Sequence, residues 1–232
     1  WFVLVTVTPA GGDYTTPLAA LGGLRKLVDD NDGARPSAAN PYVVQLGPGL
    51  YSLGTQPLQL LPGVTLRGAG QGVTVLRGLG SAGGEQGVVQ GADGAVLREL
   101  TVEALGNGSG YAVAVLNDNA SPRLERVTLS ATGATTNLAV RNRNGAQVQL
   151  ERVAALATGG GDSAALTNES AAGAVLNRVI LGAGGATGAN DALDNATGCT
   201  LQARNSLLAG AVRNDNTTAP VVLRASQLTG SP

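Results

Sequence analysis

Apolar and polar positions alternate in short runs through the first half of this chain: Tyr42-Val-Val-Gln-Leu46, Leu58-Gln-Leu60, Val64-Thr-Leu66, Val73-Thr-Val-Leu76 and Val88-Val-Gln90, separated by Gly, Asn or Pro. Alternation over a few residues predicts short strands, and the lack of helix-length segments between them disfavours folds that alternate strand and helix. Further on, the pattern itself repeats. Val127, Val153 and Val179 recur 26 residues apart inside Leu-x-Arg-Val words, each following an asparagine: Asn117, Asn142 and Asn168. The series continues less strictly through Asn195 with Leu201 and Asn214 with Leu223. A sandwich has no reason to keep a fixed period, whereas a coil of three short parallel strands and three turns needs about this many residues. The pattern predicts an all-β parallel β-helix, a solenoid of about eight coils, each about 4.8 Å above the last.

One segment breaks the strand pattern. Thr16 followed by Pro17 suits a helix N-terminus, and Leu18, Leu21, Leu24, Leu27 and Val28 recur at helical spacing, which predicts a helix over residues 17–28. Gly22 and Gly23 cost it about 1–2 kcal/mol relative to alanine, so tertiary packing must hold it. Its natural place is over the open end of the solenoid core. The chain then reads as a single β-helix domain over residues 1–232, in which 1–41 form an N-terminal strand, capping helix and loop and 42–232 form the stacked coils.

Repeated positions acquire roles once coils stack. Asn117, Asn142, Asn168, Asn195 and Asn214 form a candidate structural ladder, because an amide side chain donates to and accepts from its copies above and below, and asparagine tolerates left-handed backbone. The spacing of 19 residues between Asn195 and Asn214 predicts a shortened last coil. Arg126, Arg152, Arg178 and Arg204 are also 26 apart; with the adjacent valines inward, strand alternation points them outward. That row is read as a solvated ridge offset by Glu125 and Glu151, or as a candidate polysaccharide ridge. Asn205 stands where the valine series wants an apolar residue, which predicts a register change or bulge in that coil.

Composition fits thin coils: 43% of residues are hydrophobic, yet only one is Phe, so stacked Val, Leu and Ala must fill the core. A net charge of −1 without basic runs gives no bulk attraction to nucleic acid, and no apolar run approaches the ~20 residues that cross a bilayer. Cys199 is the single cysteine and reads as a buried, inert thiol. Asp191 and Asp194, in Gly188-Ala-Asn-Asp-Ala-Leu-Asp-Asn195, read as turn formers, with a calcium site as the alternative. No cofactor is implied. Asn-x-Ser/Thr sequons begin at Asn107, Asn119, Asn168, Asn195 and Asn216, two of them wanted by the ladder.

Val5-Thr-Val-Thr-Pro-Ala-Gly-Gly-Asp13-Tyr-Thr-Thr-Pro-Leu-Ala-Ala-Leu21, with Tyr42-Val-Val-Gln-Leu-Gly-Pro-Gly-Leu-Tyr51 and Val64-Thr-Leu-Arg-Gly-Ala-Gly70, resembles the N-terminal part of pectinesterase-like proteins of the pectin-lyase-like superfamily. Later words, such as Gly91-Ala-Asp-Gly-Ala-Val-Leu-Arg-Glu-Leu-Thr-Val102, resemble bacterial surface or tail-fibre-like β-helix repeats. The resemblance implies a right-handed parallel β-helix with a capping helix. Its catalytic words are missing. Tyr51 is followed by Ser52 and Leu53 where pectinesterases place a Glu, their Gln-Asp-Thr and Asp-Phe-x-Phe-Gly words have no counterpart, and the Gly-His-Gly word of polygalacturonases cannot occur in a chain without histidine. The expectation is therefore a non-catalytic structural or adhesive β-helix, extracellular or at a cell surface. Its partners would be copies of itself or neighbouring segments of a fibre, a need reinforced by exposed Trp1 and Phe2 and an uncapped Val221–Pro232 end. The alternative is a carbohydrate-active enzyme or binding module acting on acidic polysaccharide.

Overall fold

A computed structural model, which describes residues 1–215 and 221–230, shows the chain wound into a parallel β-helix with one α-helix at its start. The strands form two sheets, one of fifteen strands and one of seven, and all pairing between them is parallel. The larger sheet is creased into two arms; Val96–Leu105 and Arg123–Thr132 each run through both. Each coil thus passes along the first arm, turns a corner into the second arm, and returns through the smaller sheet. Among the described residues, seven strands in the smaller sheet make seven complete coils, slightly fewer than expected, with Val221–Arg224 and Gln227–Thr229 starting another. The winding takes the right-handed sense of parallel crossovers.

Stacking gives the core its form. Val44, Leu66, Leu97, Leu124, Leu150, Leu176 and Ala203 lie in one inward column on the first arm, all buried. One apolar cluster continues from Val5 to Leu208. The helix Pro17–Asp29 starts at Thr16, whose hydroxyl accepts the Ala19 N–H at 3.2 Å, and buries Ala20, Leu21 and Leu24 against the first coils. That apolar contact offsets the two glycines. Val3–Val7 pairs with Tyr42–Leu46, so the solenoid begins one strand before the helix.

The corner between the arms shows a departure from simple alternation. Glu99, Arg126, Arg152, Arg178, Asn205 and Ala225 all have positive φ, between 46° and 56°. The arginines therefore point outward because a left-handed residue turns the strand there. Arg204 falls outside this column: it pairs with Asn177 and Arg224 on the flank, while Asn205 occupies the corner. The cause is one extra residue in the turn 185–189. Thr158 pairs with Gly184, an offset of 26, and Ser163 pairs with Asn190, an offset of 27. The register change expected at Asn205 has thus occurred before it, and Ser206 takes the buried place below Val179.

Candidate functional site

The smaller sheet carries two contrasting columns. Asn117 Nδ2 donates to Asn142 Oδ1 at 2.8 Å, Asn142 to Asn168 at 2.9 Å, Asn168 to Asn195 at 3.0 Å and Asn195 to Asn214 at 2.7 Å. Asn117, Asn142, Asn168 and Asn195 are fully buried. None of the five has a positive φ; the left-handed residues are Asn119, Asn144 and Ser170, two positions further on. Left-handed backbone is therefore not the reason for asparagine at this position. Asn168 and Asn195 are closed to glycosylation in the folded chain, Asn107 and Asn119 are exposed, and Asn216 lies outside the described residues.

One residue earlier in each strand is an outward column: Leu116, Arg141, Thr167, Asp194 and Arg213. A second outward column holds Val113, Leu138, Ala164 and Asp191. From Arg141 in the first column and Leu138 in the second onward, they floor a groove of about 310 Å³, with Tyr111, Thr136, Asp162 and Glu169 on its sides. The loop after Thr74–Leu79 lies across its near end. Gly84 packs so tightly there that an added Cβ would come within 2.8 Å of the Tyr111 ring, and its carbonyl accepts from Arg141 Nη1 at 3.0 Å. Glu85 of the same loop pairs with Arg143.

Asp191 and Asp194 belong to the strand Asn190–Asn195 and not to a turn, which corrects their reading as turn formers. Arg213 holds both: its Nε and Nη2 meet the two Asp194 carboxylate oxygens at 3.0 and 2.9 Å, and Nη2 reaches Asp191 Oδ2 at 3.1 Å. The surroundings of the two acids differ. The Asp191 side chain is 8% exposed and that of Asp194 25%. Burial pushes the Asp191 carboxyl above the usual carboxylate range, with the Arg213 charge opposing and Asp194 adding to the rise. Arg213 is kept firmly charged, first by its bond to Asp194. A second bidentate pair, Arg141 with Glu169 at 3.2 and 2.9 Å, flanks the groove. Thr167 Oγ1, on the floor between the pairs, is buried without a hydrogen-bond partner. In sequence the groove had one signal, the Asp191–Asp194 pair; Arg141, Thr167, Glu169 and Arg213 carried none.

Arg126, Arg152 and Arg178 line the corner on the other side of the coil, and Arg204 flanks it. The structure does not bring this ridge to the groove. Cys199 is buried, and burial pushes its thiol pKa up, away from nucleophilic use. Among the described residues, no group of three or more His, Cys, Asp or Glu is placed to hold a metal ion, and no helix is long and apolar enough to cross a membrane.

No family model and no curated protein sequence matches the chain. Solved structures do. The deglycosylated pectin methylesterase of Aspergillus niger is similar with a TM-score of 0.59 at 14% identity, over 98% of this chain and 85% of that one. The pectin methylesterase of carrot is similar with a TM-score of 0.56 at 14% identity, over 98% and 82%. At this identity the likeness establishes the fold alone, a parallel β-helix.

Proposed function

We propose that this chain is a carbohydrate-active β-helix that holds a polysaccharide segment in the groove outside the smaller sheet, in an extracellular setting. The observation that carries the reading is the groove floor. A buried carboxyl and a more exposed one are bridged by one arginine on adjacent coils, beside a threonine hydroxyl that no protein group satisfies. Unsatisfied buried hydroxyls and fixed carboxylates are suitable partners for sugar hydroxyls. Similarity in fold to two pectin methylesterases supports the reading. Four acidic side chains against two arginines leave the groove net acidic, so it suits uncharged or esterified sugar units of an otherwise acidic polysaccharide.

Calorimetric titration with a highly methyl-esterified polygalacturonate tests this reading. Saturable binding that Asp194→Asn and Thr167→Val each weaken supports it; binding indifferent to both changes refutes it. Methanol release and new reducing ends are followed in the same samples. Neither is expected, since the pectinesterase and polygalacturonase words are missing. Turnover lost in Asp191→Asn would assign that carboxyl a proton-transfer role, as a pair of acids in unlike surroundings permits.

A structural or adhesive role is the second reading, favoured by exposed Leu156 and Ile180 on the second arm and Val175 on the first. Analytical ultracentrifugation at micromolar concentration decides it: a self-associating species supports assembly, and a monomer removes it.

A further inference from the structure

The corner ridge divides into two halves of different electrostatic character. In its first half every arginine meets a carboxylate. Arg67 and Arg126 both bond Glu99, each at 2.6 Å, Arg98 pairs with Glu125, and Arg123 bridges Glu125 and Glu151 at 2.7 and 2.6 Å. In the second half the counter-charges stop. Arg152 and Arg178 hold the corner on consecutive coils, and Arg204 and Arg224 follow on its flank on the next two. All four are exposed, and among the described residues none has a carboxylate within 4.0 Å. Glu151 feels Arg152 and Arg178 but is bonded to Arg123.

We propose that this half of the ridge is a second glycan site, one that takes the ionised carboxylates of an acidic polysaccharide laid along the solenoid axis. Four guanidinium groups on successive rungs, with a rise of about 4.8 Å per rung, repel one another, and a polyanion removes that repulsion. Arg152 and Arg178 also sit at φ 54° and 56°, where Asn or Gly is easier, as Asn205 in the same column illustrates. A shallow depression lies on each side of the arginine line. One is lined by Asn177, Gln202 and Asn205, the other by Asn205, Ser226 and Gln227. Amides and hydroxyls beside guanidinium groups match sugar hydroxyls beside carboxylates. Neither depression is lined by an aromatic residue, so the stacking platform that single-stranded nucleic acid needs is missing there. The site stands apart from the groove in position and in charge, and it does not depend on the groove reading.

Binding of the full chain to de-esterified polygalacturonate tests the proposal, with fully methyl-esterified polymer and duplex DNA as parallel probes. The triple variant Arg178→Gln, Arg204→Gln, Arg224→Gln is expected to weaken polygalacturonate binding about tenfold or more, given roughly two- to fivefold per exposed ion pair. Arg126→Gln, in the paired half of the ridge, should stay within about twofold by the same measure. Salt near 0.5 M should abolish the difference, since screening at that strength acts within about 4–5 Å. Unchanged affinity in the triple variant overturns the proposal. So does equal binding of the esterified polymer through the same residues, or binding of DNA without binding of polygalacturonate. The single changes Arg204→Gln and Arg224→Gln, each expected to weaken binding two- to fivefold, carry the test should the triple variant fold poorly.

Discussion

Asn142 and Arg141 are neighbours in the chain, yet they belong to columns that behave in opposite ways. The asparagine column repeats one side chain through five coils, points inward, and links each amide to the next, ending at an unpartnered Asn117 Oδ1. The column beside it changes identity at every coil, from Leu116 to Arg141, Thr167, Asp194 and Arg213, and points outward. Arg141 finds its partner outside the column in Glu169, Asp194 and Arg213 pair within it, and Thr167 finds none. A solenoid imposes the same backbone on both. Sameness along the axis lets identical polar groups satisfy one another in the dry interior; variation along the axis is what produces a site.

Breaking the inward column should have the largest effect. Asn142→Leu leaves the Asn117 donor and the Asn168 acceptor buried without partners, and equilibrium denaturation should report a loss of about 1–3 kcal/mol. An unchanged midpoint would show that the amide row contributes no stability.

Arg213→Ala in the outward column should cost less, roughly 1 kcal/mol near neutral pH, because the bridge it removes is half exposed. Its pH dependence distinguishes it. The folded-state pKa of Asp191 lies above its unfolded value, so its contribution to stability is fully present below the unfolded pKa and is lost as pH rises through the folded one. Without Arg213 that loss deepens, so the difference between variant and parent should shrink in acid, where Asp191 is protonated in both. Asp118 and Glu99 behave in the opposite sense. Arg143 bonds the first and Arg67 the second, holding both carboxyls below their usual range, so the stability they supply is lost as pH falls through their folded-state values. Thermal unfolding from pH 7 to pH 3 checks both signs.

Thr167→Val should have the smallest effect on stability, a few tenths of a kcal/mol in either direction, because it removes a hydroxyl that has no partner to lose. If the groove holds a glycan, the same change should weaken glycan binding. A variant that loses stability like Asn142→Leu would place Thr167 in the structural class and remove it from the site.

Much of this contrast was legible before any coordinates. The 26-residue period announced the stack, the repeated asparagines announced a column of like groups, and Thr16-Pro17 with its leucines announced the helix, found at Pro17–Asp29. These signals are local or strictly periodic, and a stacked coil turns period directly into proximity. The column beside the asparagines was not legible, because its residues differ at every coil and leave no period to detect. Missing, too, was the backbone of the corner, since a left-handed residue and an alternating strand both turn a side chain outward.

Period and alternation along the chain were enough to specify the solenoid, its helix and which positions face the core, because burial must recur wherever the strand pattern recurs. Which side chains meet across coils was settled in the folded chain, because that depends on loop length at single residues. One added residue in 185–189 moved Arg204 out of the arginine column to which its spacing assigned it. Gly210 alone joins Leu207–Ala209 to Ala211–Asn214, and this shortened turn sets Arg213 against Asp194 only 19 residues away. A register shift of one residue changes every partnership on a coil, and hydrogen bonding along the whole rung selects the register.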